Sequence, residues 1–216
     1  MNNIKYGLIG ASGKMGKEIS SIMNENGNVL VFNYDIDGEV FTEKPEVLID
    51  FSLPAALEKT IEYVKKFKSP LIIGTTGFND EHLKKLHELS EIIPIVQSYN
   101  FSVGVQMLIK CAELINTKLK DWDIEITETH HRFKKDKPSG TAIMIKNALG
   151  KEINISSLRV GNVVGEHSIT FGGLGETLTV THSALSRRTF AEGVLRAVQF
   201  ILNKKNGFYS IKDVLA

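Results

Sequence analysis

The groups best suited to moving protons and binding anions lie in one stretch of the chain, E-I-T-E-T-H-H-R-F-K-K-D-K-P-S-G-T-A. His130 and His131 end a strand-like pattern there, and Lys134 follows in a basic loop. Imidazole donates or accepts a proton near neutral pH, and a lysine ammonium supplies positive charge. The backbone N–H groups of Gly140 and Thr141, where a helix is expected to begin, can bind a carboxylate. The stretch predicts a pocket for a small anion that is protonated as it is reduced.

Each part of this stretch also has an ordinary structural interpretation. A pair of adjacent histidines is more often a surface or core feature than a site, and a cationic loop is by default a solvated one. A metal site is not expected, because adjacent side chains on a strand point to opposite faces and no further ligand is near in sequence.

A glycine-rich turn near the start of the chain is a second, independent motif. The sequence G-L-I-G-A-S-G-K-M-G joins a predicted strand to a predicted helix. Glycine permits a tight turn and a close approach of backbone to a pyrophosphate, beside the N–H groups of a helix start. Ser12 holds the second glycine position of the usual G-x-G-x-x-G, so a turn without a ligand stays an alternative. The predicted dinucleotide contacts in this turn are Gly10, Ala11, Ser12, Gly13, Lys14 and Met15.

Three later strand ends supply the remaining predicted contacts. Asp35 stands about 20 residues beyond the turn, where an acid binds the adenosine ribose hydroxyls. Ile36 follows it, with no adjacent arginine for a 2′-phosphate, so the pattern favours NADH over NADPH, although Lys14 can also reach a phosphate. Small and hydroxylated residues after two further strands suit a nicotinamide ribose, or are simple turns. These residues are Gly74, Thr75, Thr76, Ser98, Tyr99, Asn100 and Phe101.

The order of predicted elements explains how these segments meet. In the first half, short apolar runs alternate with helical patterns, which implies a parallel sheet covered on both faces. Ligands of such sheets bind at the carboxyl ends of the strands. The strands are expected at 4–9, 29–34, 47–51, 71–74 and 92–96, and the helices at 14–26, from Pro54 onward and at 80–91.

The second half has a different pattern. A helix is expected at 101–119, a strand with one wet face from Trp122, a helix at 140–149, strands at 158–164, 168–171 and 177–181, and a last helix at 189–202. The first of these helices is expected to turn inward Met107, Leu108, Cys111, Leu114 and Ile115. Cys111 is therefore predicted to be a buried structural thiol. The fold class is α/β, with a Rossmann-type parallel sheet domain plus an α+β domain that has an open mixed sheet.

Composition argues against several classes of protein. Hydrophobic residues make up 42% of the 216 residues and charged residues 24%, as in globular rather than disordered proteins. The net charge of +1 gives no reason to expect a nucleic acid or an anionic membrane as a partner. No apolar run approaches the roughly 20 residues of a membrane span, and no signal peptide is recognisable. With a single cysteine, the chain is expected in a reducing cytoplasm.

The two motifs together indicate a family. The chain resembles dihydrodipicolinate reductase, the reductase of the diaminopimelate and lysine pathway, over nearly its whole length. The signature segment of that family is matched by Glu125, Glu128, His130, His131, Lys134, Asp136, Pro138, Ser139, Gly140, Thr141 and Ala142. Further matches are the segments 10–16, 50–52, 74–78, 100–105 and 182–184, with Ser186, Arg187, Phe190 and Ala191. A match as long as the His-His to Pro-Ser-Gly-Thr-Ala segment rarely arises by chance.

The resemblance implies a role for each group of residues. His130 matches the proton donor of the family and Lys134 its catalytic lysine, while His131, Gly140 and Thr141 match contacts with a small dicarboxylate substrate. The residues that match the family's cofactor contacts are those already named from the glycine turn and the strand ends. The resemblance implies NADH or NADPH as cofactor, with NADH favoured by the sequence, and a homotetramer assembled through the sheet of the second domain.

The resemblance also places the domain boundaries. The dinucleotide-binding domain is expected to comprise residues 1–101 and 188–216, and the substrate-binding and oligomerisation domain residues 102–187. This chain departs from many family members in one region: only fourteen residues separate Asp35 from Asp50, so a longer stretch found elsewhere in the family is expected to be a loop.

Two other functions are compatible with the glycine turn. One is a related dehydrogenase of another small amino or keto acid, which a panel of substrates would identify. The other is a dinucleotide sensor without catalysis, which would bind a cofactor and not turn over. The set formed by His130, Lys134, Gly140 and Thr141 weighs against both.

Overall fold

The computed structural model describes residues 3–216, which form two compact units. One unit holds the residues up to Phe101 together with Phe190–Ala216, and the other holds Ser102–Thr189. The strands in residues 3–216 are β1 Lys5–Ile9, β2 Val29–Asp35, β3 Gly38–Phe41, β4 Val47–Asp50, β5 Leu71–Ile73, β6 Pro94–Gln97, β7 Asp123–His130, β8 Asn154–Arg159, β9 Gly165–Gly172, β10 Thr177–Ala184 and β11 Gly207–Tyr209. The α-helices of this described part are α1 Lys14–Glu25, α2 Leu57–Phe67, α3 Asp80–Ser90, α4 Val103–Lys118, α5 Gly140–Leu149, α6 Arg188–Ile201 and α7 Ile211–Val214.

The first unit is built on a seven-stranded sheet with the strand order β11-β6-β5-β4-β1-β2-β3. Its neighbouring strands are parallel, apart from the antiparallel pair β2 and β3. All four residues of β4 are buried, as expected for a strand of a parallel sheet that helices cover on both faces. One core contains Ile19 of α1 and Val198 of α6, and the other contains Val64 of α2 and Leu86 of α3. The predicted Rossmann-type sheet is confirmed.

The end of the chain completes this sheet. Side chains of α6 join the same core as β1 and β4, and β11 pairs with β6 as an outer strand. Gly193 of α6 lies so close to the backbone of Phe101 that a Cβ would overlap its carbonyl oxygen. The strand β11 and the helix α7 were not predicted, because each is too short to show a period in sequence.

The segment between Asp35 and Asp50 is more than the loop that the sequence predicts. Residues Gly38–Phe41 form β3, which pairs with β2 so that Asp35 lies opposite Gly38. Gly38 has a φ of 107°, which glycine adopts readily, and it begins the returning strand. All four residues of β3 are exposed, so the strand lacks the apolar alternation that would indicate it.

The second unit is built on a four-stranded mixed sheet with the order β10-β9-β7-β8. β7 is parallel to β8 and antiparallel to β9, and β9 and β10 form a hairpin. Apolar side chains of α4 and α5 pack against Ile126, Ile169 and Phe171 on one face. The other face carries hydroxyl groups, including those of Ser168 and Thr181, 2.8 Å apart. The predicted open mixed sheet is confirmed, although the strand expected at 158–164 lies earlier, as β8.

Helix α4 turns a different face inward from the one predicted. Its buried residues are Val105, Gln106, Leu108, Ile109 and Ala112. Met107 and Leu114 are more than half exposed, and Cys111 is also exposed. The prediction that Cys111 is a buried thiol is therefore wrong. The helix has apolar residues on two adjoining faces, so periodicity alone does not decide which of them packs against the sheet.

Two features are absent from the part of the chain that the structure describes. No helix within residues 3–216 is both long enough and apolar enough to cross a membrane. The same residues contain no group of three or more His, Cys, Asp or Glu side chains arranged to hold a metal ion.

Candidate active site

The glycine turn between β1 and α1 is packed so tightly that two of its positions require glycine. Gly10 has a φ of 84°, and a Cβ there would lie 2.6 Å from the carbonyl oxygen of Phe51. A Cβ on Gly16 would overlap the carbonyl oxygen of Gly10. Gly13 is the N-cap of α1 and gives the helix no side-chain hydrogen bond, so no side chain of the cap competes with an anion there. The start of α1 is therefore open to an anionic group such as a pyrophosphate.

The other predicted contacts of the turn differ in exposure. Ala11 and Met15 are half-buried and pack against the core, whereas Ser12 and Lys14 are exposed. Lys14 is the first residue of α1, a position from which its ammonium can pair with a phosphate. The turn thus presents backbone, one hydroxyl and one cation.

Asp35, at the end of β2, lies directly beside the glycine turn. Its carboxylate accepts the backbone N–H of Ser12 at 2.6 Å and the backbone N–H of Ile36 at 2.8 Å. The hydrogen bond from the Ser12 backbone is the main reason that the pKa of Asp35 is lowered, so the group is a carboxylate at neutral pH. The structure therefore brings together the turn and the acid that the sequence assigns to a ribose.

A buried carboxylate, Asp50, organises the adjoining ends of β4 and β5. It accepts hydrogen bonds from the hydroxyl groups of Ser52, Thr60 and Thr75, at 2.6 to 2.9 Å. Burial raises the pKa of Asp50, and these hydrogen bonds oppose the rise. Because the hydroxyl of Thr75 is held by Asp50 and is buried, it is not available to a ligand.

The other residues predicted to contact the cofactor also follow β5 and β6. Gly74 lies against the ring of Phe51, which a Cβ would overlap, and Thr76 is exposed. After β6, Oγ of Ser98 donates to the carbonyl oxygen of Asn100 at 2.8 Å and accepts its N–H at 3.1 Å, which closes a tight turn. The two residues that complete this segment are the half-buried Tyr99, whose pKa burial raises, and the buried Phe101. All these segments follow the carboxyl ends of strands in one sheet, the edge at which such sheets bind ligands.

In the second unit, His130 is held by a buried carboxylate on its own strand. Nδ1 of His130 is hydrogen-bonded to Oε2 of Glu128, two residues earlier on β7. Arg159 on β8 binds both oxygens of Glu128, at 2.8 and 2.9 Å, and lies opposite His130 in the strand register. The backbone N–H of Ser139 donates to Glu128 at 3.2 Å. The sheet and the start of α5 thus hold the imidazole through one carboxylate.

The charges of this group are well defined. Burial raises the pKa of Glu128, but hydrogen bonds from Arg159, Ser157 and His130 outweigh burial and hold that pKa at about 2. Glu128 is therefore a carboxylate at neutral pH, and Nδ1 of His130 carries the proton between them. Burial lowers the pKa of His130, and the Glu128 carboxylate acts in the opposite direction.

A second histidine, His167 on β9, lies edge-on to His130 with ring centroids 5.2 Å apart. Its Nε2 is 3.3 Å from Oγ of Ser139. Burial, and then the charge of His130, lowers the pKa of His167 to about 3, so its ring is neutral at neutral pH. Gly165 lies beside the other nitrogen of His130, where a Cβ would be 3.1 Å from Nε2.

The basic loop returns Lys134 to the neighbourhood of His130. The N–H of Lys134 donates to the carbonyl oxygen of His131 at 3.0 Å, which closes a turn, and its Nζ lies 2.8 Å from Oδ1 of Asp136. After burial, the Lys134 ammonium is one of the charges that lower the pKa of His130. His131 is half-buried just beyond the end of β7.

The start of α5 is joined to the same group. Ser139 is its N-cap, and Oγ of Ser139 accepts the N–H of Ala142 at 3.2 Å. Gly140 and Thr141 are the first two residues of the helix, at the positive end of its dipole. Because the N–H of Ser139 binds Glu128, this helix start lies next to His130. An imidazole, a cation and the positive end of a helix dipole thus lie together in one unit.

Both parts of the chain match models of one family. "Dihydrodipicolinate reductase, N-terminus" matches residues 4–101, and "Dihydrodipicolinate reductase, C-terminus" matches residues 104–215. The chain belongs to the dihydrodipicolinate reductase family.

Relatives and a solved structure agree with this family. The chain is 48% identical, over 212 residues and 98% of both chains, to the 4-hydroxy-tetrahydrodipicolinate reductase of Thermosipho africanus. It is 37% identical, over 237 residues and 98% of both chains, to the reductase of the same name from Rickettsia rickettsii. A dipicolinate-bound dihydrodipicolinate reductase from Paenisporosarcina sp. TG-14 superposes with a TM-score of 0.77 at 26% identity, covering 97% of this chain and 98% of that one. The predicted family and reductase class are confirmed.

The sequence alone did not predict a role for three residues that lie beside His130. They are Glu128, Arg159 and His167. The alternation of β7 contains a signal for the first, because a carboxylate two residues before His130 must share its face of the strand. Arg159 and His167 have no local signal, since the sheet register brings them to Glu128 from distant parts of the chain.

Proposed function

We propose that this chain reduces 4-hydroxy-tetrahydrodipicolinate to tetrahydrodipicolinate with NAD(P)H, as a step of lysine and diaminopimelate biosynthesis. The observation that carries the proposal is the Glu128–His130 pair beside Lys134 and the start of α5. An imidazole held next to a cation and a helix start suits a dicarboxylate that must be bound and protonated.

The chemistry on the substrate is a dehydration followed by a reduction. Loss of water from the hydroxylated precursor gives the conjugated ring of dihydrodipicolinate. A nicotinamide cofactor held by the first unit would supply the hydride that C4 of this ring receives. The enamine that results takes up one proton at the neighbouring carbon, so hydride and proton together add the two hydrogens of the reduction.

The residues of the second unit have different proposed roles toward the substrate. His130 is the acid that protonates the enamine, through the nitrogen that does not face Glu128. Lys134 binds a substrate carboxylate, and its charge favours the anionic form of the bound molecule. His131 and the helix start at Gly140 and Thr141 bind the carboxylates and fix the ring for protonation.

The residues of the first unit hold the cofactor. The backbone of the turn from Gly10 to Met15 binds the pyrophosphate, and Asp35 binds the adenosine ribose. The segments 74–76 and 98–101 contact the nicotinamide ribose. This assignment is supported by the exposed N-cap Gly13, which places no side chain over the start of α1.

We infer that NADH is preferred to NADPH. The hairpin that follows the ribose-binding strand reads Asp35-Ile36-Asp37-Gly38-Glu39, with three carboxylates and no cation. Asp35 is held ionised by the Ser12 backbone, and Ile36 is 96% exposed where an arginine would pair with a 2′-phosphate. A phosphate ester there would meet repulsion from like charges.

The proposed reaction is tested by following oxidation of the cofactor while a coupled synthase generates the unstable substrate in situ. The assay is run with NADH and with NADPH in parallel. We expect turnover with both and a higher kcat/KM with NADH. Cofactor binding without turnover would instead identify a sensor, and turnover only with another amino or keto acid would identify a related dehydrogenase.

Lys134→Ala is expected to raise KM for the substrate and to lower kcat. A hydrogen bond to a charged group contributes about 1.5–3 kcal/mol, so the loss in kcat/KM should be about 10- to 150-fold. The measurement is steady-state kinetics in the coupled assay. The matched control is Lys135→Ala, which removes an exposed cation from the next position and should change little. Equal effects of the two substitutions would contradict the role of Lys134.

We infer from the family resemblance a cytoplasmic homotetramer assembled through the sheet of the second unit. The exposure of Leu158 on β8 and of Leu178 on β10 supports an interface there, since both side chains are more than 40% exposed. Light scattering should give four times the chain mass of 24.0 kDa. A monomer or dimer at assay concentrations would contradict the proposed assembly.

A further inference from the structure

Glu128 is a fully buried carboxylate with a complete set of partners. Its two oxygens bind Arg159 in a bidentate pair, Nδ1 of His130 and the N–H of Ser139. Replacing a buried ion pair by apolar residues is often neutral or stabilising in proteins, so stability alone does not account for such a group. Its position, in contact with the proposed acid, points to a role in the reaction.

We propose that Glu128, fixed by Arg159, is the positioning residue of the reaction and sets both the tautomer and the orientation of His130, so that Nε2 delivers the proton to the substrate. The inference deepens the proposed function and rests on it for the role of His130. Glu128 acts through the imidazole.

The tautomer follows from the chemistry of the two groups. A carboxylate only accepts hydrogen bonds, so the nitrogen of His130 that faces Glu128 must carry a hydrogen. The second proton of the imidazolium is then on Nε2, and after its transfer the neutral ring keeps the hydrogen on Nδ1. Glu128 does not take that proton, because its pKa is held at about 2. Nε2 must therefore be recharged from outside the pair.

The surroundings of Nε2 are suited to this exchange. The strand facing it, β9, has Gly165 at that point, and a Cβ there would already be 3.1 Å from Nε2. A larger side chain would press on the nitrogen that carries the transferable proton. Glu128 thus holds the ring at Nδ1. At Nε2 the neighbouring residue is Gly165, which has no side chain to block that nitrogen.

Charged and titratable groups act on the His130 ring from each neighbouring element. Glu128 on β7 favours the imidazolium, whereas Arg159 on β8 and Lys134 in the basic loop oppose it, as does burial itself. His167 on β9 faces the ring edge-on and is neutral at neutral pH. Glu128 is the one anion of this set, so its removal leaves every remaining influence in favour of the neutral ring.

The test compares Glu128→Gln with Glu128→Asp. In Glu128→Gln the amide can donate or accept, so the tautomer of His130 is no longer fixed, and the imidazolium loses its counter-charge. We expect kcat to fall by at least about 10-fold, and by no more than the 10²–10⁴-fold that the acid itself contributes. The descending limb of the kcat/KM–pH profile, which reports the free enzyme, should move to lower pH. In ¹⁵N NMR spectra, the His130 ring should no longer be a single Nδ1–H tautomer.

Glu128→Asp keeps the charge and moves the carboxylate back by one methylene. We expect a lower kcat, because the ring is held less firmly, with the descending limb left near that of the unaltered protein. A purely structural role would lower the folded fraction of both variants without separating their pH profiles. The difference between the two profiles is therefore the deciding readout.

A third variant allows the same test if Glu128→Gln does not fold. Glu128→Gln leaves the buried Arg159 without its carboxylate, which is strongly destabilising in buried pairs. The double variant Glu128→Gln/Arg159→Met removes both charges at once. It should show the same displaced limb and mixed tautomer, because the hydrogen bond and charge of Glu128 act on His130 more strongly than Arg159 does.

The outcomes separate this inference from the proposed function. An unchanged tautomer and an unchanged limb in Glu128→Gln or in the double variant would overturn the positioning role, whatever the role of His130. If instead the tautomer changes as expected while His130→Ala turns over normally, the positioning of the ring stands and the proposed acid fails.

Discussion

His130→Ala is expected to lower kcat by about 10²–10⁴-fold and to leave the dissociation constant for NADH unchanged. The substitution removes the proposed acid, so the barrier to protonation of the enamine should rise. Cofactor affinity is expected to survive because the glycine turn, Asp35 and the segments after β5 and β6 belong to the first unit, whereas His130 belongs to the second. Both quantities are measurable on one sample, by the coupled assay and by titration with NADH.

The pH dependence gives the same variant a second test. Burial keeps the pKa of His130 below its ordinary value, and the acid must be protonated to act. In the unaltered protein, kcat/KM should therefore fall as the pH rises through that lowered pKa, since kcat/KM reports the free enzyme. The limb should be missing from His130→Ala and present in the control His87→Ala, which changes an exposed histidine of α3. Near-normal turnover in His130→Ala would remove His130 from the mechanism.

The first unit was predictable because its signals are local. Apolar runs buried on both faces, separated by helices with one apolar stripe, indicate a parallel covered sheet without knowledge of any contact. The glycine turn and Asp35 then follow from the order of the strands. What the sequence could not show is that the hydroxyl of Thr75 binds Asp50, because Asp50 ends β4 and Thr75 follows β5, 25 residues later in the chain.

The second unit was less predictable because its helix α4 is ambiguous. Met107, Cys111 and Leu114 form one apolar face, and Val105, Leu108, Ile109 and Ala112 form another. The sheet covers the second face. Amphipathic periodicity decides the orientation of a helix only where the opposite face is polar, which is why the burial of Cys111 was predicted wrongly.

The charged group around His130 depends on contacts between residues that are distant in sequence. His130 and Lys134 could be named from residue type and from the family resemblance, but the residues that set their chemistry are distant in sequence. Arg159 reaches Glu128 across 31 residues because β7 and β8 pair in parallel register. A carboxylate in a strand is by default expected to be solvated, so only the sheet reveals that this one is buried.

Gly16→Ala is expected to destabilise the protein and to weaken NADH binding together. Alanine is a better helix former than glycine, so an open site in α1 would be stabilised by the change. At this site the new methyl group would overlap the carbonyl oxygen of Gly10, and backbone cannot move aside as the end of a side chain can. Overpacking of this kind costs about 1–3 kcal/mol, which lowers Tm by about 2–4 °C for each kcal/mol in a chain of this size.

Gly13→Ala separates the packing of the turn from its contact with the cofactor. Gly13 has φ −66° and ψ 164°, which alanine adopts without strain, and its Cβ would lie 3.2 Å from the carbonyl oxygen of Gly10. Because 3.2 Å is a tight contact, Tm should fall slightly, but by less than in Gly16→Ala, while the dissociation constant for NADH rises because the added methyl group lies in the turn proposed to bind the pyrophosphate. Gly175→Ala, where a Cβ meets nothing within 4 Å, should change neither quantity. Normal NADH affinity in Gly13→Ala would mean that the pyrophosphate does not lie over this turn, and a normal Tm in Gly16→Ala would mean that the turn is not packed on the start of α1 as described.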